Sequence, residues 1–305
     1  MTAPVLDRAA RRFLDALNRV ASPKAPTVES LRAAALALVP LASPAPPVER
    51  RDDALGALRL RLYCPPGRAD DALPGLVYFH GGGLVAGDLD SHDSLAANLA
   101  AGAGCRIVAV DYARAPEAKF PAARNDAIAA TLAAARDPGR FRLARVGVGG
   151  DSAGGQLAAL AALAARDAGA PLALQLLLCP VMDALARTAS RTALAEGHLL
   201  TEATMRAYWD AYRIEGLQPD DARAAPLAAA DFSGLAPAIV HVADGDPLCD
   251  EGADYALRLS AAGVPCRLTR HAGLIHHFYG LGAVIPAARD ALADVIAELK
   301  AALTA

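Results

Sequence analysis

Val146-Gly147-Val148-Gly149-Gly150-Asp151-Ser152-Ala153-Gly154-Gly155 starts as an apolar strand, tightens into glycines around one serine and runs on into an alanine-rich stretch over 153–168. A serine wedged between small residues at a strand-to-helix turn projects its hydroxyl above a sheet, because so sharp a backbone leaves no room for bulk on either side. The same glycines do not make a dinucleotide site. Counted from Gly147, the G-x-G-x-x-G pattern puts Ser152 in the third glycine position, and no Walker lysine follows.

Strand-like runs recur on both sides of this turn, over 57–64, 75–79, 106–110, 146–149, 172–179, 238–243 and 266–271, with helical runs between them. Leu76-Val77-Tyr78-Phe79 and Ile107-Val108-Ala109-Val110 are nearly continuous in apolar residues, as expected of strands covered by helices on both faces. Residues 153–168, 251–262 and 286–302 carry helical spacing, and Gly263 follows the second as a stop. The alternation predicts an α/β fold with a mostly parallel central sheet. Two segments fit it poorly: 1–46, which reads as two amphipathic helices, and 183–226, which holds Tyr208, Trp209 and Tyr212. Sites of open α/β sheets lie beyond the carboxyl ends of the strands. Both segments are therefore expected to form a helical cap over the site, dividing the chain into 1–46 (cap), 47–182 (core), 183–226 (cap) and 227–305 (core).

Serine attacks a carbonyl only when a base takes its proton, and the base must be held in one tautomer by a third group. Val242-Ala243-Asp244-Gly245-Asp246-Pro247-Leu248 and Gly273-Leu274-Ile275-His276-His277-Phe278 supply both downstream, each after a strand. The order serine, acid, histidine is the one described for α/β hydrolases. Spacing alone does not choose between Asp244 and Asp246. Upstream, His80-Gly81-Gly82-Gly83 is a glycine-rich loop of the kind that offers backbone N–H groups to an oxyanion.

Four blocks carry a resemblance: His80-Gly81-Gly82-Gly83; Asp111-Tyr112 with Ala115-Pro116-Glu117; Gly150-Asp151-Ser152-Ala153-Gly154-Gly155; and Asp246-Pro247-Leu248 with Asp250-Glu251-Gly252. Together they resemble the hormone-sensitive-lipase-like esterases, the bacterial family IV of lipolytic enzymes, within the α/β-hydrolase superfamily. The resemblance implies that fold with its cap, Ser152 as nucleophile, His276 as base and Asp246 as the acid that orients it, leaving Asp244 as a turn residue. It further implies Gly82, Gly83 and Ala153 as oxyanion donors, with His80 ordering the loop and Gly81, Leu84 and Asp151 around the pocket. Three departures stand out. His276-His277-Phe278 replaces His-Gly-Phe and sets a second imidazole beside the base. Ala113-Arg114 follows Asp111-Tyr112 where the family tends to arginine then leucine, and is expected to rearrange an ion pair. Leu84 replaces an often aromatic residue and is expected to widen the acyl pocket.

Composition bounds the rest. Apolar residues make up 54% of the 305, charged residues 21%, and the net charge is −3, which suits a globular protein and gives no basic face for nucleic acid. Cys64, Cys105, Cys179, Cys249 and Cys266 lack C-x-x-C spacing and read as reduced core residues. The start of the chain mixes Asp7 and Asp15 with arginines and has no secretory apolar core, and no uncharged run reads as a membrane span. The expected compartment is the cytoplasm. His92, His198, His241 and His271 are expected to be structural or exposed, without metal-ligand spacing, so neither metal nor cofactor is expected. The expected partner is a small ester, and an apolar face over 287–303 would suit a homodimer. An amide or carbamate hydrolase with the same residues, or a receptor that binds without turnover, would share these features.

Overall fold

The computed structural model describes residues 4–20 and 25–304, so residues 1–3 and 21–24 of the expected cap segment lie outside the described residues. Eight strands form one sheet: β1 (Glu49–Leu55), β2 (Leu58–Cys64), β3 (Leu73–Phe79), β4 (Arg106–Asp111), β5 (Leu143–Asp151), β6 (Gln175–Leu178), β7 (Ala238–Gly245) and β8 (Cys266–Ile275). Their order is β1-β2-β4-β3-β5-β6-β7-β8, antiparallel at the β1/β2 and β2/β4 pairings and parallel throughout the rest. This is the mostly parallel α/β sheet expected from the alternation, in the α/β-hydrolase fold that the resemblance implies. β1 was not legible, because Glu49-Arg50-Arg51-Asp52-Asp53 is an edge strand with charged side chains and no apolar run.

Why the central strands lack polar alternation is plain from their packing. On β3, Val77 and Phe79 face one core cluster while Leu76 and Tyr78 face another; on β4, Val108 and Val110 divide from Ile107 and Ala109 in the same way. The first face is covered by α4 (Ala122–Arg136), α5 (Ala153–Asp167) and α8 (Cys249–Ala261), the second by α3 (Asp93–Ala103) and α9 (Pro286–Thr304). Neither α3 nor α4 stands out as a periodic run, since alanine carries much of their buried face. The apolar face of α9 that would have suited a homodimer is used inside the chain: Leu292, Val295, Leu299 and Leu303 are buried in the second cluster.

α1 (Arg8–Val20) and α2 (Val28–Leu38) precede the sheet; α6 (Ala189–Ala193) and α7 (Glu202–Tyr212) lie between β6 and β7, and α2 packs against α7. α1 starts where Asp7 N–H donates to Gly273 O at 2.9 Å, beside the end of β8. The insert is tied down by a buried ion pair, Arg191 on α6 to Glu251 on α8 at 2.9 Å, with Glu251 also accepting from Met182 N–H at 2.8 Å. Removing one member of such a pair strands a buried charge. Arg191→Met should therefore lower the stability of the fold by about 3–5 kcal/mol, and adding Glu251→Gln should recover most of it. Urea unfolding of parent, single and double variants reads this out, and a single variant as stable as the parent would show that the pair does not anchor the insert.

Two buried histidines give the fold an acid limit. Burial, aided by the neighbouring His92, pushes His80 down to about 3, and burial, aided by His271, pushes His241 down to about 3. An unfolded imidazole titrates near 6.5. Their contribution is thus fully present above about pH 6.5 and is lost as pH falls towards about 3, where the unfolded chain takes up protons that the folded chain refuses. Summed over these two rings, the contribution to unfolding free energy should drop by roughly 3–4 kcal/mol between about pH 7.5 and pH 5, and His277, likewise pushed down to about 3 by burial, adds to the drop. A flat profile over that window would show that the two rings are not held neutral.

Candidate active site

β5 runs into α5 at Ser152, whose φ of 53° and ψ of −121° place a non-glycine residue in strained backbone. The turn is pinned from both sides: Ser152 N–H donates to Leu178 O on β6 at 2.8 Å, and Ser152 O accepts from Val181 N–H at 3.0 Å. Glycine is required nearby for contact rather than freedom, since a Cβ on Gly154 would strike the carbonyl oxygens of Phe79 and His80. The helix start and the glycine loop can approach closely only because that side chain is missing.

Three side chains from three separate turns meet at the carboxyl ends of the strands. His276, just after β8, places Nε2 3.1 Å from Ser152 Oγ and Nδ1 2.8 Å from Asp246 Oδ2, just after β7. Asp246 is completely buried and its other oxygen accepts Leu248 N–H at 2.9 Å. With Nδ1–H donating to the carboxylate, Nε2 is left as an acceptor facing the serine hydroxyl. The neighbouring candidates point elsewhere. Asp244 is ion-paired with Arg270 at 3.6 Å, and His277 turns away in a left-handed conformation (φ 64°), where burial pushes it down to about 3.

The loop after β3 carries His80, Gly81, Gly82 and Gly83. Gly82 has φ 114°, which favours glycine, and the Gly82 and Gly83 N–H groups, like that of Ala153 at the start of α5, have no acceptor among the described residues. Unspent donors around a serine hydroxyl are what a developing oxyanion needs. The loop is braced from below. Tyr112 stacks on the His80 ring at 4.3 Å and its hydroxyl donates to His80 O at 2.7 Å. Tyr78 donates to Asp151 at 2.9 Å, and His92 Nε2 lies 3.3 Å from both Asp151 Oδ2 and Gly81 N. Burial works against ionisation of Asp151, but the His92 charge and hydrogen bonds from His92 and Tyr78 overcome it and bring its carboxyl down to about 2. The altered Asp111–Arg114 stretch holds the loop as well: Arg114 pairs with Asp111 at 3.6 Å and donates to Gly87 O.

Two cavities meet at Ser152. The larger, of about 190 Å³, runs between α2 (Leu31, Ala35, Leu38), Tyr208 of α7 and the polar wall of His92 and His277. The smaller, of about 60 Å³, is lined by Leu84, Ala153, Val181, Met205, Trp209 and Tyr212. Tyr208 borders both and packs over Gly83, while Trp209 and Tyr212 also belong to the buried core.

Some of this was missed in the sequence. His92, expected to be structural or exposed, borders the larger cavity and supports the glycine loop; no spacing signal marks it, because its partners Gly81 and Asp151 come from other segments. Arg191 was not singled out, although an arginine facing a buried glutamate in the Asp250-Glu251-Gly252 block is the kind of pair a polar residue in an apolar helix face can signal. Cys179 is one of the four buried free cysteines, with Cys266 half-buried, and it directly follows β6, beside Asp246. Among the described residues, Cys179, Asp246 and His276 are the one grouping of three His, Cys, Asp or Glu side chains close enough to hold a metal ion.

A family model described as alpha/beta hydrolase fold matches residues 76–280. Ethyl acetate hydrolase of Pseudomonas putida is 39% identical over 250 residues, covering 80% of this chain and 78% of its own. Carboxylesterase NlhH of Mycobacterium tuberculosis is 39% identical over 260 residues, covering 83% and 81%. Among solved structures, ester-hydrolase EH1AB1 from the metagenome of Lake Arreo, complexed with a bipyridine phosphonate derivative, superposes with a TM-score of 0.91 at 37% identity over 98% of this chain and 100% of its own.

Proposed function

Since this chain belongs to the hormone-sensitive-lipase-like family of α/β hydrolases and is a carboxylic-ester hydrolase, we propose that it works through an acyl-enzyme on Ser152 and prefers short- to medium-chain acyl esters. The observation that carries the reading is the continuous chain of hydrogen bonds from Ser152 Oγ through His276 to the buried Asp246. Ser152 attacks the ester carbonyl as His276 Nε2 takes its proton, and the same nitrogen then protonates the leaving alcohol. Water repeats the cycle on the acyl-enzyme. Asp246 keeps the Nδ1 proton in place and stabilises the imidazolium without accepting the proton itself. The N–H groups of Gly82, Gly83 and Ala153 receive the oxyanion, each such donor being worth about 3 kcal/mol of barrier.

Segments 1–46 and 183–226 act as the cap, with α2 and α7 roofing the larger cavity and keeping water from the acyl-enzyme. In this reading the smaller cavity, beside Leu84 and Ala153, takes the acyl chain and the larger takes the alcohol. The reduced cysteines fit the cytoplasm as its compartment.

Rates on p-nitrophenyl esters of increasing acyl length test the preference, with kcat/KM expected to peak at short or medium chains. Leu84→Trp should fill the smaller cavity and move the maximum to shorter chains. An unchanged maximum in that variant would remove Leu84 from the acyl pocket, and a maximum at long chains in the parent would overturn the size assignment.

A further inference from the structure

We propose that Cys179, Asp246 and His276 form an inhibitory site for a soft divalent cation, Zn²⁺ or Cd²⁺, which stops the enzyme by capturing its own base. The sulfur, a carboxylate oxygen and a ring nitrogen of these residues all lie within 4.8 Å of one another, and all three residues are buried. In a tetrahedral zinc site, bonds of about 2.0–2.3 Å leave donor atoms roughly 3–4 Å apart, so the three need to draw together by only about 1 Å. Thiolate and imidazole select zinc and its softer neighbours over magnesium or calcium.

The charge arithmetic also fits a dry site. One thiolate and one carboxylate cancel the two positive charges of the cation, so no net charge is buried. The donors sit on firm backbone: Cys179 N–H donates to His241 O at 2.7 Å and Asp246 N–H to Ala243 O at 3.1 Å, at the ends of two adjacent parallel strands. Cys179 is itself an anomaly. It adopts φ 44° as a non-glycine residue, is fully buried, and has no part in ester hydrolysis. The cation reaches it from the larger cavity, which His276 lines.

Binding exchanges protons and moves no electrons. The Cys179 S–H bond breaks, the S–metal bond forms and the proton leaves to solvent. Ligation through His276 Nδ1 requires the ring proton to shift from Nδ1 to Nε2, so Nε2 can no longer accept from Ser152. Inhibition rests on the triad reading given above; binding does not.

The test titrates the full-length enzyme with Cd²⁺, and separately with Zn²⁺, recording the thiolate-to-cadmium ultraviolet band and p-nitrophenyl acetate hydrolysis on the same samples. The expected result is a saturable band at one equivalent that rises as activity falls, both reversed by EDTA, with Mg²⁺ inert. Cys179→Ser should lose that equivalent and resist the cation about 100-fold better, while Cys249→Ser keeps both responses. Asp246→Asn retains the thiol and should bind Cd²⁺ at least about 10-fold more weakly by the band alone. Equal inhibition of parent and Cys179→Ser, or no saturable band on the parent, would overturn the site. A Cys179-dependent band with activity untouched would overturn the capture of the base. A Ser152→Ala variant that still hydrolyses esters would instead overturn the triad reading, and the Cys179 band would still support the metal site.

Discussion

Ser152→Ala is expected to lower kcat on p-nitrophenyl acetate by about 10⁵–10⁶-fold without loss of fold. Loss of the nucleophile in a serine hydrolase costs about as much as loss of the whole triad, and the remainder over water comes from the oxyanion donors and binding. The substitution removes one oxygen from a nearly closed site, at a residue 9% exposed, and leaves the Leu178 and Val181 backbone bonds that shape the turn. Circular dichroism and urea midpoint should therefore match the parent. The strain at φ 53° passes unchanged to alanine. A variant that keeps more than a small fraction of activity would move the nucleophile elsewhere.

Asp246→Asn is the second large effect, about 10⁴-fold in kcat with KM little changed. An asparagine amide fits the same space and keeps the Leu248 N–H contact through its carbonyl oxygen. It can then present its NH₂ to His276 Nδ1, which favours the tautomer with the proton on Nε2 and leaves nothing to accept from Ser152. Asp244→Asn separates the two aspartates, because Asp244 meets Arg270 and not the imidazole. That variant should hydrolyse esters close to the parental rate. Comparable losses in both would mean that the geometry at β7 does not identify the acid.

The fold was legible because its central strands carry their signal locally. Leu76 to Phe79 and Ile107 to Val110 bury both faces, and an uninterrupted apolar run says so without any knowledge of partners. β1 failed that test, since at the sheet edge its pairing with β2 is made by backbone while its side chains are charged. For the site, the residues in fixed local turns were visible: Ser152 in its glycines, the His80 loop, and the short stretches holding Asp246 and His276. What joins them was not. Asp244 and Asp246 are two positions apart, which in a regular strand would put both on one face, so the acid is decided by the register irregularity between Ala243 and Gly245 and by the turn that follows β7, neither of which spacing reveals. His92 meets Asp151, Arg191 meets Glu251 and Cys179 lies beside Asp246, each about 60 or more positions along the chain, and no periodicity encodes such contacts.

The most direct test of the central claim is covalent trapping of the intact enzyme with a p-nitrophenyl phosphonate ester, read by intact-mass and peptide mass spectrometry. The account predicts one adduct per chain, on the peptide containing Ser152, formed in step with loss of esterase activity and absent from Ser152→Ala. An adduct on any other residue that tracks the loss of activity, or an equal adduct in Ser152→Ala, would contradict it.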